Sequence, residues 1–294
     1  AEVDRVIDRG SAKVALAIPR GYARDLAAGR SAQVQVIVDG TDPRTASLAL
    51  SYVSAIILGY SNQITLAAAS RAGVTRAETL QPVDFRPRVW YNPELRSTNF
   101  IVPGLIAVIL MMLSALLTSM TVVRERERAT IEQLVVSPVM PYELMIGKLV
   151  PYVMIAFVDV VMVTAAGRLL FDVPLRGSPV LLLGLSGVFL VAALGIGLVI
   201  STVAHSQQVA MTIAIMATML PSFLLSGFVF PIASMPRPIQ VVTYLIPARY
   251  FLVILREIFL KGTGAAVLWR QAVPLVVFAL AAIVIAALKF KKRL

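Results

Sequence analysis

The sequence predicts a polytopic α-helical membrane protein with a small α+β domain ahead of its spans. Three observations lead there. Of 294 residues, 58% are hydrophobic, above the ~45–50% of ordinary soluble domains, so the chain has too little polar surface to cover itself. From residue 99 onward, apolar segments reach the ~20 residues of helix that a hydrocarbon core of ~30 Å requires. Before that point the apolar runs are short and interleaved with charge.

The first domain is read as residues 1–98. VALAIP (14–19) reads as a buried strand, GYARDLAAG (21–29) as a short helix ended by glycine, and AQVQVIVDG (32–40) as an alternating strand closed by Asp-Gly. Thr41-Asp42-Pro43 opens a helix, with Asp42 as its cap and Pro43 in its first turn, running to about Ala69.

The second domain, residues 99–294, holds spans near 101–123, 144–170, 180–203, 209–228 and 272–288. Between the last two, residues 231–264 are apolar but broken by Pro231, Pro236, Pro238 and Pro247. One straight span is excluded there. Two short helices dipping into one membrane face fit better, the second (248–260) stopping before Gly262.

Lys289, Lys291, Lys292 and Arg293 end the last span, and Arg124, Arg126 and Arg128 crowd the end of the first. These basic clusters place both ends in the cytoplasm. Five spans with a cytoplasmic C-terminus then put residues 1–98 outside. With no signal peptide at residue 1, the parity predicts a preceding first span, missing from this sequence.

The net charge is +11, which on a soluble domain would suggest nucleic acid. Here it reads as basic anchors at helix ends, and no nucleic-acid partner is expected. Cysteine is absent, which excludes disulfides, thiolate metal ligands and cysteine nucleophiles. No G-x-x-x-x-G-K-[ST] run occurs: Gly147-Lys148 precedes Leu149 and follows no glycine loop, so this route to ATP is closed. His205 stands alone between spans and reads as a loop residue, not a metal ligand. No nucleophile–base arrangement is visible, and an enzyme is not expected.

The segment TSMTVVRERERATIEQLVVSP (118–138) combines charge and apolar spacing. Ile131, Leu134 and Val135 make one apolar stripe, while Arg128 and Glu132 sit four apart on another face. Such a helix can rest on lipid headgroups or dock on a protein. Its glutamates Glu125, Glu127 and Glu132 offset the arginines, which favours the protein. Asp159 is the acid well inside a span, where an uncompensated charge costs at least ~2.5 kcal/mol, so it should face other helices or water. It reads either as a helix–helix contact or as part of a cation or proton path. Ala193 and Gly197 have the small-xxx-small spacing of close helix packing. Pro221 should kink its helix, with Ser226 and Gly227 following.

Five motifs occur in order: NPELRSTNFIVPGL (92–105), RERERATIEQLVVSP (124–138), GSPVLLL (177–183), LPSFLLSGFVFPIASMP (220–236) and YLIPARYFLVILREIFLKG (244–262). Together they resemble the type-2 permease subunits of ABC exporters, in the bacterial branch with a large external domain after the first span. The resemblance covers nearly the whole chain. It implies that residues 124–137 form a coupling helix docked in a cleft of a separate ATP-binding subunit. Arg124, Glu125, Glu127, Arg128, Ile131, Glu132, Gln133 and Leu134 would make that contact, with Ile131 and Leu134 as apolar anchors and Glu127, Arg128 and Glu132 as polar contacts. The family usually has glycine where this chain has Ala129.

The same resemblance implies that residues 231–262 are a re-entrant pair closing the exit near Pro231, Met235 and Pro236, with Pro247 and Arg249 in the second helix. The spans would be the second to sixth of six. The unit implied is two permease chains, identical or paralogous, with two ATPase chains in the bacterial inner membrane. ATP and magnesium would be bound by the partner, with no cofactor on this chain. The cargo implied is an amphipathic or drug-like molecule, or a cation, taken from the cytoplasm or inner leaflet. The alternative is a gradient-driven secondary transporter using Asp159, which should show internal repeats and more intramembrane ionisable groups than are found.

Overall fold

A computed structural model describes residues 12–28, 30, 32–72, 83–127 and 141–291, together with 3, 6, 7 and 10. The chain divides into two compact units, residues 1–100 and 101–294.

The first unit is built on a three-stranded sheet in the order β1-β2-β3. β1 (Val14–Ala17) pairs antiparallel with β2 (Ala32–Asp39), Val14 opposite Val38 and Ala17 opposite Gln35. The short helix α1 (Tyr22–Ala27) lies between them in sequence. β2 then pairs parallel with β3 (Val83–Trp90), Ala32 opposite Val83 and Asp39 opposite Trp90. A parallel pair needs a crossover, and the long helix α2 (Pro43–Ala72) lies in it. The two-residue period of β2 sends Val36 and Val38 to one face, where they pack with Ala46, Ala49, Leu50 and Val53 of α2 and with Val14 and Leu95.

Asp42 caps α2. Its carboxylate accepts from the Arg44 amide at 3.1 Å and the Thr45 hydroxyl at 2.7 Å, as its position before Pro43 predicts. The helix runs to Ala72, slightly beyond the expected end. β3 carries no clear strand signal in the sequence. VDFRPRVW lacks clean alternation and carries Pro87, which an edge strand tolerates because one row of its amides needs no ladder partner.

Asp39, at the end of β2, is buried. It accepts from Lys13 Nζ at 2.9 Å and from the Thr41 amide and hydroxyl at 3.0 and 2.7 Å. After β3, Asn92 is buried and organises the turn. Its Nδ2 donates to the Arg96 carbonyl at 3.0 Å, and its Oδ1 accepts from the Arg96 amide at 3.1 Å and from Asn99 Nδ2 at 2.9 Å. The NPELRSTN motif is therefore a polar plug that closes the strand-to-helix turn on itself.

Among the described residues, five helices are long and apolar enough to cross a membrane, and one helix pair is bent. The long helices are α3 (Ser97–Glu127), α4 (Pro141–Phe171), α5 (Pro179–Val203), α6 (Gln207–Leu225) and α9 (Ala265–Lys291). The bent pair is α7 (Arg237–Thr243) and α8 (Pro247–Arg256), the latter continued by a π-turn (Glu257–Lys261). Its two halves meet at 81°. One straight span is thereby ruled out for residues 237–261. α9 begins and ends beyond the expected 272–288. α6 stops at Leu225, before the expected 228, where Gly227 takes a positive φ of 84°.

α5 sits at the centre, packed against α4, α6, α8 and α9. Its small residues make that possible. A Cβ on Gly197 would lie 2.6 Å from the Ala115 carbonyl and 2.9 Å from Thr118 of α3, and one on Gly195 would lie 2.6 Å from Ala282 of α9. α5 and α8 are joined by a stacked pair, Phe189 on Phe251, with centroids 4.0 Å apart.

The GSP motif also has a local cause. Ser178 caps α5 by accepting from the Leu181 amide, and Pro179 takes its first position. The amides of Arg176 and Gly177 donate to the carbonyls of Phe259 and Ile258 at 3.1 and 2.9 Å, satisfying acceptors in the π-turn.

Candidate functional site

The residues singled out from the sequence lie at the end of α3, in the bent pair α7–α8 and the turn before it, and singly within α4 and α6.

At the end of α3, Arg124 and Glu127 turn toward the start of α6. Gln207, the first residue of α6, answers both. Its amide donates to Glu127 Oε1 at 2.9 Å, its side-chain Nε2 donates to Glu127 Oε2, and its Oε1 accepts from Arg124 Nε at 3.0 Å. The Ser206 hydroxyl caps the same helix by accepting from the Val209 amide at 3.3 Å. A carboxylate at a helix N-terminus meets both free amides and the positive end of the dipole. The two Gln207 donors, with Arg124 behind them, hold the Glu127 carboxyl below its ordinary range. Beneath these contacts Val123, Ala204 and Ala210 form a fully buried apolar cluster joining the ends of α3, α5 and α6. Glu125 is half-buried. Arg128, Ile131, Glu132, Gln133 and Leu134, with Ala129, lie outside the described residues.

The bent pair is held by its own side chains. Pro231 and Pro236 flank a single 3₁₀ turn (Ile232–Ser234), and both are exposed, while Met235 between them is half-buried. Gln240 Nε2 donates to the Met235 carbonyl at 2.8 Å. At the elbow, Arg249 donates to the Thr243 hydroxyl and lies 3.9 Å over the Tyr244 ring, a cation–π contact. The Tyr250 hydroxyl donates to the Tyr244 carbonyl at 3.0 Å. Pro247, at the first turn of α8, is buried. Further along, Arg256 Nη1 donates to the Gly227 carbonyl at 3.3 Å, and Lys261 pairs with Glu257 at 3.0 Å.

Sequence reasoning singled out Arg249 but missed Thr243, Tyr244, Arg256, Glu257 and Lys261. The i, i+4 spacing of Glu257 and Lys261 was a usable signal for their pairing. The Arg249–Thr243 contact spans a helix break and had none.

Pro221 lies inside α6, four residues before its end, and Ser226 donates to the Ser222 carbonyl in the turn after it. Asp159 is half-buried on α4, between the buried Ala156 and Val160 and the exposed Val158 and Met162. Among the described residues it has no hydrogen-bond or ion-pair partner. Tyr152, two turns earlier on the same stripe, donates to Thr121 of α3 at 2.7 Å. The structure therefore does not bring Asp159 together with Pro221, Arg249 or the Arg124–Glu127 group. Among the described residues no three His, Cys, Asp or Glu side chains converge as a metal site would require.

Together these contacts link the elements in series: a charged junction at one end of α6, a proline within it, and a bent, internally clamped pair bonded to the turn after its other end. A family model described as "ABC-2 family transporter protein" matches residues 1–288. The chain is 37% identical over 287 residues to the "Probable multidrug ABC transporter permease YbhS" of Escherichia coli (strain K12), covering 97% of this chain and 74% of that one. It is 33% identical over 276 residues to the "Probable multidrug ABC transporter permease YbhR" of the same organism, covering 94% and 72%. It is 32% identical over 299 residues to the "Inner membrane transport permease YhhJ", covering 99% and 76%. A match along almost the whole chain, running through every span, makes this protein a member of the ABC-2 transporter family.

Proposed function

We propose that the chain is the membrane-spanning permease subunit of an ATP-driven exporter whose ATP is hydrolysed by a separate subunit. The observation that carries this reading is the family match along residues 1–288, with relatives at 33–37% identity named as multidrug ABC transporter permeases. In this reading residues 124–137 are the coupling helix. Ile131 and Leu134 anchor it in the ATPase, Arg128, Glu132 and Gln133 contact it, and Arg124, Glu125 and Glu127 form its root. ATP and magnesium belong to the partner. Two ATPase chains and two permease chains, identical or paralogous, make the unit, in the bacterial inner membrane with residues 1–98 outside and the C-terminus in the cytoplasm.

The bent pair then stands at the exit, with Pro231, Met235, Pro236, Pro247 and Arg249 shaping it. The cargo is an amphipathic or drug-like molecule, or a cation, leaving from the cytoplasm or the inner leaflet. The apolar exposed face of the pair, with Val241, Val242 and Leu245, supports cargo that partitions into lipid.

The test uses the absence of native cysteine. Gln133→Cys in the full-length chain is coupled to a photo-crosslinker in membranes of the source cells. Capture of a P-loop ATPase is the expected result. Efficient labelling with no ATPase among the products would overturn the reading.

A further inference from the structure

The contacts of Gln207 do more than finish a helix. Glu127 and Gln207 are 80 residues apart in sequence, so their bonds join two separate spans. An isolated exposed ion pair contributes little. Here, however, one side chain reads two opposite charges at once, and its own backbone amide adds a third bond to the same carboxylate. The buried Val123–Ala204–Ala210 cluster beneath fixes the separation of the helix ends. At its other end α6 runs past Pro221 into the turn whose Gly227 carbonyl accepts from Arg256 of the bent pair. The proline leaves α6 one internal hydrogen bond short, so displacement of its first turn has a place to bend the helix.

We propose that Arg124, Glu127 and Gln207 form a latch that makes the end of α3 and the start of α6 move as one body. Displacement of the segment after α3 is thereby delivered to α6 and through it to the bent pair. The inference rests on the exporter reading only for the source of that displacement, which is the partner ATPase. The three residues are positioning residues and touch no cargo. The lowered proton affinity of Glu127 accords with this role, since in the present pairing both carboxylate oxygens accept from Gln207 and a proton on either would remove one acceptor.

Chemistry distinguishes a latch from a surface contact. Gln207→Glu sets two carboxylates face to face and should break it. Adding Glu127→Gln should restore it: the amide now at 127 donates to the carboxylate at 207, which still accepts from Arg124, and the amide oxygen at 127 accepts from the backbone of residue 207.

The experiment uses the full-length chain with its ATPase in membranes, carrying Phe230→Cys as a reporter beyond the far end of α6. A maleimide dye reads the change in labelling rate on adding ATP and vanadate. The expected result is a response in the parent, none in Gln207→Glu, and its return in the double swap. A parent-like response in Gln207→Glu, or a double swap as silent as the single, overturns the latch. A second arm covers failure of Gln207→Glu to fold and needs no nucleotide to read cross-linking. Glu127→Cys with Gln207→Cys should form a disulfide under mild oxidant and keep the reporter's response. Failure to cross-link, or a response abolished by the cross-link, overturns the proposal. A parent that gives no response to ATP and vanadate removes the ATP-driven reading instead, while the cross-link still decides whether the two ends are held together.

Discussion

Glu127 shows how one side chain changes meaning between sequence and structure. In the sequence it is one of a run of alternating charges, and the family resemblance assigns it to a partner. In the structure its carboxylate is occupied by the amide and side chain of Gln207, with Arg124 alongside. Those contacts lower its proton affinity, and the sign follows. A carboxyl whose folded value lies below its unfolded value contributes stability fully above the unfolded value, and that contribution is lost as pH falls through the folded one. The first turn of α6 should therefore be better protected from amide exchange in the parent than in Glu127→Gln at neutral pH. The difference should shrink as the solution is acidified below the carboxylate range. A His205→Asn background removes the nearby imidazole from the comparison. A difference independent of pH would mean that Glu127 acts there through shape and not through charge.

At the scale of elements, close packing depends on residues that sequence patterns only partly expose. Gly104 of α3 lies against Phe228, where a Cβ would come within 2.1 Å of the ring. Phe228 is buried and makes an edge contact with Phe223, so it has no free direction to retreat. Gly104→Ala should cost about 1–3 kcal/mol through overpacking, despite the better helix propensity of alanine. Phe228→Leu should recover part of that loss, so thermal unfolding in detergent of both singles and the double should show non-additivity. Additive effects would separate the two sites.

The same scale sets what was legible beforehand. Each span was visible because twenty apolar residues have few other uses, and the caps at Asp42 and Ser178 lie where short polar residues precede proline. β3 was hidden because its arginines and Pro87 obey edge-strand rules rather than alternation. The contacts of Gln207, the Arg249 elbow and the Arg256–Gly227 bond were hidden for a shared reason. Each joins residues whose proximity is set by packing, and local spacing carries no record of it. The residues expected to meet a partner divide accordingly: Arg124, Glu125 and Glu127 are placed, while the apolar anchors Ile131 and Leu134 lie outside the described residues.

For the whole molecule the question is what drives movement, and Asp159 separates the two sources of energy. A gradient-driven carrier needs an ionisable group that binds and releases its ion during each cycle, usually near the midplane and beside broken helices. Asp159 is half-buried within continuous α4, at the edge of its exposed face, and has no partner among the described residues. The bent pair lies elsewhere, at the α7–α8 elbow, where the two halves meet at 81°. An exporter driven through the end of α3 has no step that requires a proton on α4. Asp159→Asn should therefore leave ATP-dependent efflux of an amphipathic dye exported by the full-length chain largely intact. It should also leave the protein at least as stable, because an acidic side chain in a membrane span costs at least ~2.5 kcal/mol and an amide costs less. A carrier would show the reverse: normal assembly, with transport abolished by the same substitution and unaffected by loss of every ATPase. Efflux that survives Asp159→Asn and ends when the ATPase is deleted would place the driving force in the ATPase and not on α4.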